Sequence, residues 1–319
     1  MRILVIFFLL ISINVKAQIS ADSLRMHVIN LSEQAFPRNA AHIDYLNKAA
    51  QYIKDHFLQN NKKVVFQKYE VDRVLLKNVI SSVGPDTGYR IIVGANYDVC
   101  GRTPGADANA SGVAALLELN RTLSKIKNLP YRIDFVAFTL GDDDSLSPEK
   151  KGSYMHAKSL KDHDIKVLGM LSLHGIGFYT DIPHSQKYPF NYYKYLHGHR
   201  GNFISLYLHQ GDGFFPNQIR RLFKQYIKGI KVVSFKPLFT LPKLSKGDQE
   251  SYRKMGYATV KISNTHAYRN KYYHFDVDTY ETLDYTRMSA VVNMLYETLN
   301  GTNNEKLFDQ NTRTVKSDL

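Results

Sequence analysis

The sequence predicts an α/β fold, a three-layer sandwich with helices on both faces of a sheet, and three observations support this prediction. An apolar run at residues 91–95 has the composition of a buried parallel strand. The apolar residues that follow it at helical spacing are Val113, Leu116, Leu117 and Leu123. Strand and helix patterns then alternate along the remaining chain, which is typical of a doubly wound sandwich.

The length and the amino terminus define the expected domain. With 319 residues and a hydrophobic content of 44%, the chain can bury a full core, and one domain is predicted over residues 18–301. Residues 1–17 have the pattern of a cleaved secretory signal, because Arg2 precedes an apolar run at residues 3–13 that is too short to span a bilayer. We therefore expect an exported protein, periplasmic or secreted, with a disordered tail at residues 302–319.

The mature chain is strongly basic. Removing Arg2 and Lys16 with the signal lowers the formal charge from +13 to about +11. Such a charge favours anionic surfaces or substrates. Because no Lys/Arg block is interleaved with aromatic residues, nucleic acid is not an expected partner. Cys100 is the only cysteine, which excludes an intrachain disulfide, and it is a poor candidate for a nucleophile because no histidine is near it in sequence.

Two helices and two strands are predicted between the signal sequence and the apolar run at residues 91–95. Periodicity places the helices at residues 20–36 and 42–57 and the strands at residues 63–71 and 76–83. Pro37 ends the first helix, and the sequence GPDTG at residues 84–88 forms a turn.

The elements after residue 123 continue the alternation. The predicted strands cover residues 131–140, 165–177, 202–209, 230–235 and 257–263, and the predicted helices cover residues 152–163, 217–228 and 281–299. Residues 266–278 are expected to be loop. Residues 181–200 are expected to be a surface excursion, whose tyrosine-rich part at 188–195 fits either a carbohydrate or peptide platform or an ordinary surface.

Four polar residues lie in the loop between the predicted strand at residues 91–95 and the helix that follows it: Asn96, Asp98, Asp107 and Asn109. In an open α/β sheet, the loops that leave the carboxyl ends of strands line the ligand crevice. We therefore expect these residues near the functional site.

This segment resembles the first half-site of the secreted di-zinc aminopeptidases, metallopeptidase family twenty-eight, which also includes glutaminyl cyclases. The family pattern G-A-H-x-D, P-G-A-x-D-N-A-S-G and A-x-L-x-E-x-x-R corresponds here to GANYD at 94–98, PGADANASG at 104–112 and ALLELNR at 115–121. The resemblance implies a mixed, mostly parallel sheet of about eight strands between helices. It also implies zinc-dependent exopeptidase chemistry at a site assembled from several strand ends.

Two of the metal-binding positions that the resemblance implies are changed in kind. The first histidine ligand corresponds to Asn96, whose amide oxygen is a poor zinc ligand, although Asp98, which would orient that histidine, is retained. The bridging carboxylate corresponds to Ala108, whose methyl group cannot bind metal. The neighbouring Asp107 is expected to serve the hydrogen bonding of the loop, with replacement of the lost ligand as the alternative.

The base and its neighbouring ligand are a Glu-Glu pair in the family. They correspond to Asp142 and Asp143 if one residue is inserted around Gly141. Because aspartate is one methylene shorter than glutamate, it would miss its water or metal unless the backbone moved inward. The alternative is a solvated acidic turn at residues 142–144, which we favour.

The remaining positions of the resemblance are mixed. The fourth ligand, an aspartate in the family, corresponds to His174, and the fifth is His274, which matches. Gln249 stands where the family often has histidine, beside a retained Asp248, so a remodelled pocket is expected there.

Two function classes therefore remain open. The first, which we favour, is a non-catalytic pseudo-peptidase that binds a peptide or protein partner and needs no metal. The second is an exported aminopeptidase-like hydrolase with a single zinc ion held by His174, His274 and either Asp142 or Asp143. Close convergence of these side chains would favour the second class.

Overall fold

The computed structural model describes residues 19–86, 88–142, 146–238, 241 and 243–301. The predicted signal at residues 1–17, the predicted tail at 302–319 and Asp143 lie outside these ranges. Within them, eight strands form one sheet, and helices cover both of its faces. Throughout the same ranges, no helix combines the length and the apolarity needed to cross a membrane.

The strands are β1 (Val64–Val71), β2 (Val74–Val83), β3 (Arg90–Asn96), β4 (Arg132–Phe138), β5 (Val167–Leu173), β6 (Phe203–Leu208), β7 (Lys231–Phe235) and β8 (Thr259–Ser263). They lie in the order β1-β2-β4-β3-β5-β8-β6-β7. The central strands β4, β3, β5 and β8 are parallel, as are β6 and β7, whereas the pairs β1/β2, β2/β4 and β6/β8 are antiparallel. The predicted mixed, mostly parallel sheet is confirmed.

The helices are α1 (Ala21–Ser32), α2 (Ile43–Leu58), α3 (Ser111–Leu123), α4 (Gly152–Asp162), α5 (Tyr192–His197), α6 (Phe214–Gln225), α7 (Gln249–Lys254), α8 (His266–Arg269) and α9 (Tyr285–Gly301). Helices α1, α2, α3, α6 and α9 share the larger apolar core on one face of the sheet. Helices α4 and α7 pack over Ile92, Phe138 and Met170 on the other face. The three layers are thus the layers that the sequence predicts.

Three short helices lie where loops were expected. Helix α5 falls in the surface excursion and α8 in the predicted loop at 266–278, while α7 lies just after the pocket residue Asp248. Each has six residues or fewer, so it shows no apolar repeat of its own. Helix α9 begins later than predicted because the side chain of Asp284 accepts a hydrogen bond from the backbone N–H of Arg287 and caps the first turn.

A buried arginine joins the connection between α1 and α2 to the loop after β3. The guanidinium of Arg38 donates to the carbonyl oxygens of Leu31, Tyr97 and Gly105 at 3.0, 2.8 and 2.8 Å, and also to that of Pro104. Burial lowers the pKa of Arg38 to about 10, so the side chain remains charged at neutral pH. This one side chain therefore holds both ends of the loop that connects β3 to α3.

We expect the substitution Arg38→Leu to lower the free energy of unfolding by roughly 3 kcal/mol, because buried carbonyl oxygens lose their donor. Urea unfolding followed by circular dichroism measures the change. The control is Arg221→Leu on the exposed side of α6, for which we expect a change below about 0.5 kcal/mol. Equal stability of Arg38→Leu and the unchanged protein would show that Arg38 does not anchor the loop.

Candidate functional site

A cavity of about 350 Å³ opens at the carboxyl ends of β4 and β5. It is lined by Gly141, Asp142, His174, Lys243, Lys246, Gly247, His266, Ala267, Tyr273 and His274. A larger cavity of about 740 Å³ lies against α9, but its lining includes none of the residues predicted for the site. The smaller cavity is therefore the candidate functional site.

The carboxylate of Asp142 lies between two histidines at the floor of this cavity. Its Oδ2 accepts a hydrogen bond of 2.9 Å from the backbone N–H of Cys100. Its Oδ1 lies 3.3 Å from Nε2 of His274 and 4.0 Å from Nε2 of His174. Asp142 is buried, so the interpretation as a solvated turn does not apply to it. The fold thus brings together three of the residues predicted for the site.

His174 is buried with no hydrogen bond to either ring nitrogen from the described residues. Its ring stacks on that of His266, with the centroids 4.5 Å apart. Burial, followed by the nearby His266 and Lys261, holds the pKa of His174 well below its ordinary value. The imidazole is therefore neutral at pH 7, with one nitrogen able to donate and the other able to accept.

Further ring contacts extend from His266 along the cavity lining, through a tilted pair and then a stacked pair. The ring of His266 lies 4.4 Å from that of Tyr273, which lies 3.8 Å from the ring of His274. His274 has a φ of 65°, in the left-handed region that residues other than glycine seldom adopt and that is concentrated at functional sites. Four aromatic rings in succession therefore form one wall of the cavity.

Asn96 is buried beside Gly141, and its side-chain amide is engaged in hydrogen bonds. Its Oδ1 accepts from Nδ2 of Asn109 at 2.9 Å, and its Nδ2 donates to the carbonyl oxygen of Asp98 at 3.3 Å. Asn109 also donates to the carbonyl oxygen of Leu173 and accepts from the backbone N–H of Gly175. The two asparagines thus connect the ends of β3 and β5.

The carboxylate of Asp107 is saturated by donors from other loops. It accepts from the backbone N–H groups of Gly177 and Phe178 at 3.0 and 3.1 Å. The side-chain amides of Asn264 and Asn270 donate to it at 2.9 and 3.0 Å. Asp107 is therefore committed to holding these loops, and its oxygens do not face the cavity.

Ala108, next to Asp107, is buried and presents only a methyl group. Its backbone N–H and that of Asp107 donate to the carboxylate of Asp278 at 3.2 and 3.0 Å. Burial, followed by the charge of Asp107, raises the pKa of Asp278 to about 7.

Two further buried carboxylates, of Asp98 and Asp248, lie beside Gly141. Asp98 accepts from the backbone N–H groups of Gly141 and Asp142 at 2.9 and 3.2 Å, so it orients the loop after β4 and not a histidine. Burial, then the charge of Asp142, raises its pKa to about 7. Neither carboxylate oxygen of Asp248 has a hydrogen bond of ordinary geometry from the described residues, and burial raises its pKa to about 6. The adjacent Gln249 donates to the carbonyl oxygen of Ser245.

The sequence pattern of peptidase family M28 matches residues 78–299. The chain belongs to peptidase family M28. It is 33% identical over 284 residues to the uncharacterized protein YfbL of Escherichia coli strain K12, covering 86% of this chain and 85% of that protein.

Solved structures share the M28 fold at low identity. LapB from Legionella pneumophila superposes with a TM-score of 0.70 at 20% identity, covering 90% of this chain and 73% of that one. Porphyromonas gingivalis glutaminyl cyclase superposes with a TM-score of 0.65 at 19% identity, covering 89% and 98%. These likenesses establish the fold of the M28 chain.

The residues that the structure describes in the M28 chain do not fit a pair of zinc ions. Two zinc ions need several carboxylates to offset their charge, but Ala108 offers a methyl group and the oxygens of Asp107 are saturated. The amide of Asn96 is likewise engaged. For a single zinc ion, the available ligand atoms are Oδ1 of Asp142 and the Nε2 atoms of His174 and His274. Within the described ranges, no group of three or more His, Cys, Asp and Glu side chains has metal-binding geometry.

Several residues of the site were missed by sequence reasoning. Lys243 and Lys246, which precede Asp248 in the sequence, line the cavity. The sequence pattern around them does not indicate that they lie near the histidines. His266 and Tyr273 lie in the segment expected to be loop. Their contribution depends on the short helix α8, which turns the His266 ring onto that of His174.

Asp248 yields a prediction about pH. The pKa of Asp248 is about 6 in the folded protein and 3.8 in its ordinary state. Between these two pH values the folded protein therefore binds more protons than the unfolded protein. The free energy of unfolding therefore falls as pH rises through this range, and Asp98 adds a fall of the same sign up to about pH 7. We expect Asp248→Asn to be more stable than the unchanged protein at about pH 8, by roughly 1–3 kcal/mol.

Urea unfolding at about pH 5 and about pH 8 tests this expectation. In Asp248→Asn the difference in unfolding free energy between the two pH values should shrink. The matched control is Asp55→Asn on the exposed face of α2, which should leave that difference unchanged. An undiminished pH dependence in Asp248→Asn would contradict the prediction.

Proposed function

We propose that this chain is an exported, non-catalytic member of peptidase family M28 whose cavity binds a peptide or protein partner. The observation that carries the proposal is Ala108, buried at the position that corresponds to the bridging carboxylate of the zinc peptidases. A methyl group cannot bind metal, and Asp107, the nearest carboxylate in sequence, is saturated by four groups that donate from other loops.

The cavity itself supports a binding role. It is large enough for a small ligand or the end of a peptide, and its wall of adjoining aromatic rings offers contact surface. The ring nitrogens of His174 have no hydrogen-bond partner among the described residues, so a bound ligand can supply one. Hydrogen bonds between Asn96 and Asn109, from Asn109 to Leu173, and from Gly177 to the accepting carboxylate of Asp107 join the surrounding loops, so their positions do not require a metal ion.

A second candidate is a hydrolase with one zinc ion. The observation that favours it is the convergence of His174 and His274 on Oδ1 of Asp142, at 4.0 and 3.3 Å. Two histidines and one carboxylate are a common set for zinc, and a zinc ion bound there would supply an activated water for hydrolysis. In that case the cavity would bind substrate beside these three residues.

Zinc content per chain decides between the two. We expect less than about 0.1 zinc per chain in protein purified without chelator and then incubated with zinc, because Nε2 of His174 lies 4.0 Å from Oδ1 of Asp142 and no three such side chains among the described residues have metal-binding geometry. Such protein should also release no product from aminoacyl anilide substrates. Elemental analysis and a chromogenic assay make these measurements.

Two variants complete this experiment. The double variant Asn96→His, Ala108→Asp restores two family ligands, so it should bind more zinc than the unchanged chain. His274→Ala removes one histidine of the candidate zinc set. Near-stoichiometric zinc that disappears in His274→Ala, together with peptidase activity, would refute the proposed function and establish the second candidate.

A further inference from the structure

Lysine side chains surround the candidate cavity. Lys243 and Lys246 line it directly. Lys261 is buried beside it, with Nζ donating to the carbonyl oxygen of Lys246 at 2.5 Å. Nζ of Lys151 donates to the carbonyl oxygen of Gly141, a residue of the lining, at 3.3 Å. Charge from four lysines is therefore concentrated at a site that is partly shielded from water.

Fewer carboxylates than lysines lie near the cavity, and each carboxylate already faces a hydrogen-bond donor or a cationic side chain. Asp142 accepts from the backbone N–H of Cys100, faces His274 and lies within electrostatic reach of the buried Arg38. Asp98 accepts two backbone N–H groups, and Asp248 lies near Lys151 and Lys261. Among the described residues, the basic side chains around the cavity therefore outnumber the acidic ones.

Two substitutions relative to the family pattern increase this imbalance. Ala108 and His174 stand at positions where the resemblance implies carboxylates, so two negative charges are missing here. Without these two carboxylates, an incoming anion meets less electrostatic repulsion at the site.

His174 is the observation that points to a ligand. It is only 5% exposed, it lines the cavity, and both ring nitrogens lack a hydrogen-bond partner among the described residues. A buried polar group without a partner is costly, so a ligand atom that accepts the imidazole N–H is favoured at this point. A carboxylate oxygen accepts from the imidazole and from lysine ammonium groups alike.

We propose that the cavity binds a peptide carboxylate, held by Lys243, Lys246 and His174. The carboxylate is either the free terminus of a peptide or the side chain of an acidic residue. This inference rests on the proposed function, in which the cavity binds a peptide without a metal ion. The inference adds that the ligand group bound in the cavity is a carboxylate.

Three short alanine peptides with acetylated amino termini test the inference on chelator-treated protein. One has a free terminal carboxylate, one has an amidated terminus and an internal glutamate, and one is amidated and neutral. We expect one of the carboxylate peptides to bind at least about tenfold more tightly than the neutral peptide, measured by calorimetry. The peptide that binds identifies the source of the carboxylate.

Variants separate the cavity from general charge attraction. The double variant Lys243→Gln, Lys246→Gln should bind that peptide at least about tenfold more weakly. The matched control, Lys125→Gln, Lys127→Gln, removes the same charge from exposed positions after α3 and should bind as the unchanged chain does. Circular dichroism of each variant verifies that the fold is retained.

The contrary outcomes differ for the two proposals. Equal binding of neutral and carboxylate peptides, or unchanged binding by Lys243→Gln, Lys246→Gln, would overturn the carboxylate inference and leave a peptide-binding function standing. Absence of binding by all three peptides would also overturn it, while zinc content still decides the proposed function. Binding that requires added zinc would overturn both.

Discussion

The carboxylate of Asp107 is the interaction on which the geometry of the candidate site depends. It accepts hydrogen bonds from the loop after β5, through Gly177 and Phe178, and from the loop after β8, through Asn264 and Asn270. Because these loops also supply His174 and His274, the buried carboxylate of Asp107 holds the two walls of the cavity relative to each other. Hydrogen bonds among protein groups therefore join the two loops.

The same segment shows how this M28 fold packs an amide at position 96 and a methyl group at position 108. Asn96 and Asn109 are hydrogen-bonded to each other, and Asn109 joins them to the end of β5. The buried side chain of Ala108 is an uncharged methyl group, so it needs no partner for a charge. What remains at the surface of this scaffold is a cavity with stacked rings and lysines. The family relationship therefore establishes the architecture, while the chemistry of the cavity depends on side chains particular to this chain.

Much of the fold was accessible from the sequence because its central strands and long helices carry strong apolar periodicity. The strand β3 and the helix α3 lie close to their predicted positions. The short helices α7 and α8 were missed, since four to six residues cannot show a helical repeat. For the site, the resemblance indicated Asp142, His174 and His274, and the structure places their side chains together.

The sequence by itself determined the fold class, the family and the chemical limits of the site, because a methyl group at Ala108 and an amide at Asn96 are facts of composition that no conformation changes. Only the tertiary structure decided where Asp107 points and which groups surround His174. Those answers depend on contacts between residues far apart in sequence, such as Asn264 with Asp107 and His266 with His174. Local patterns carry no information about such contacts, because they arise only when the loops pack together.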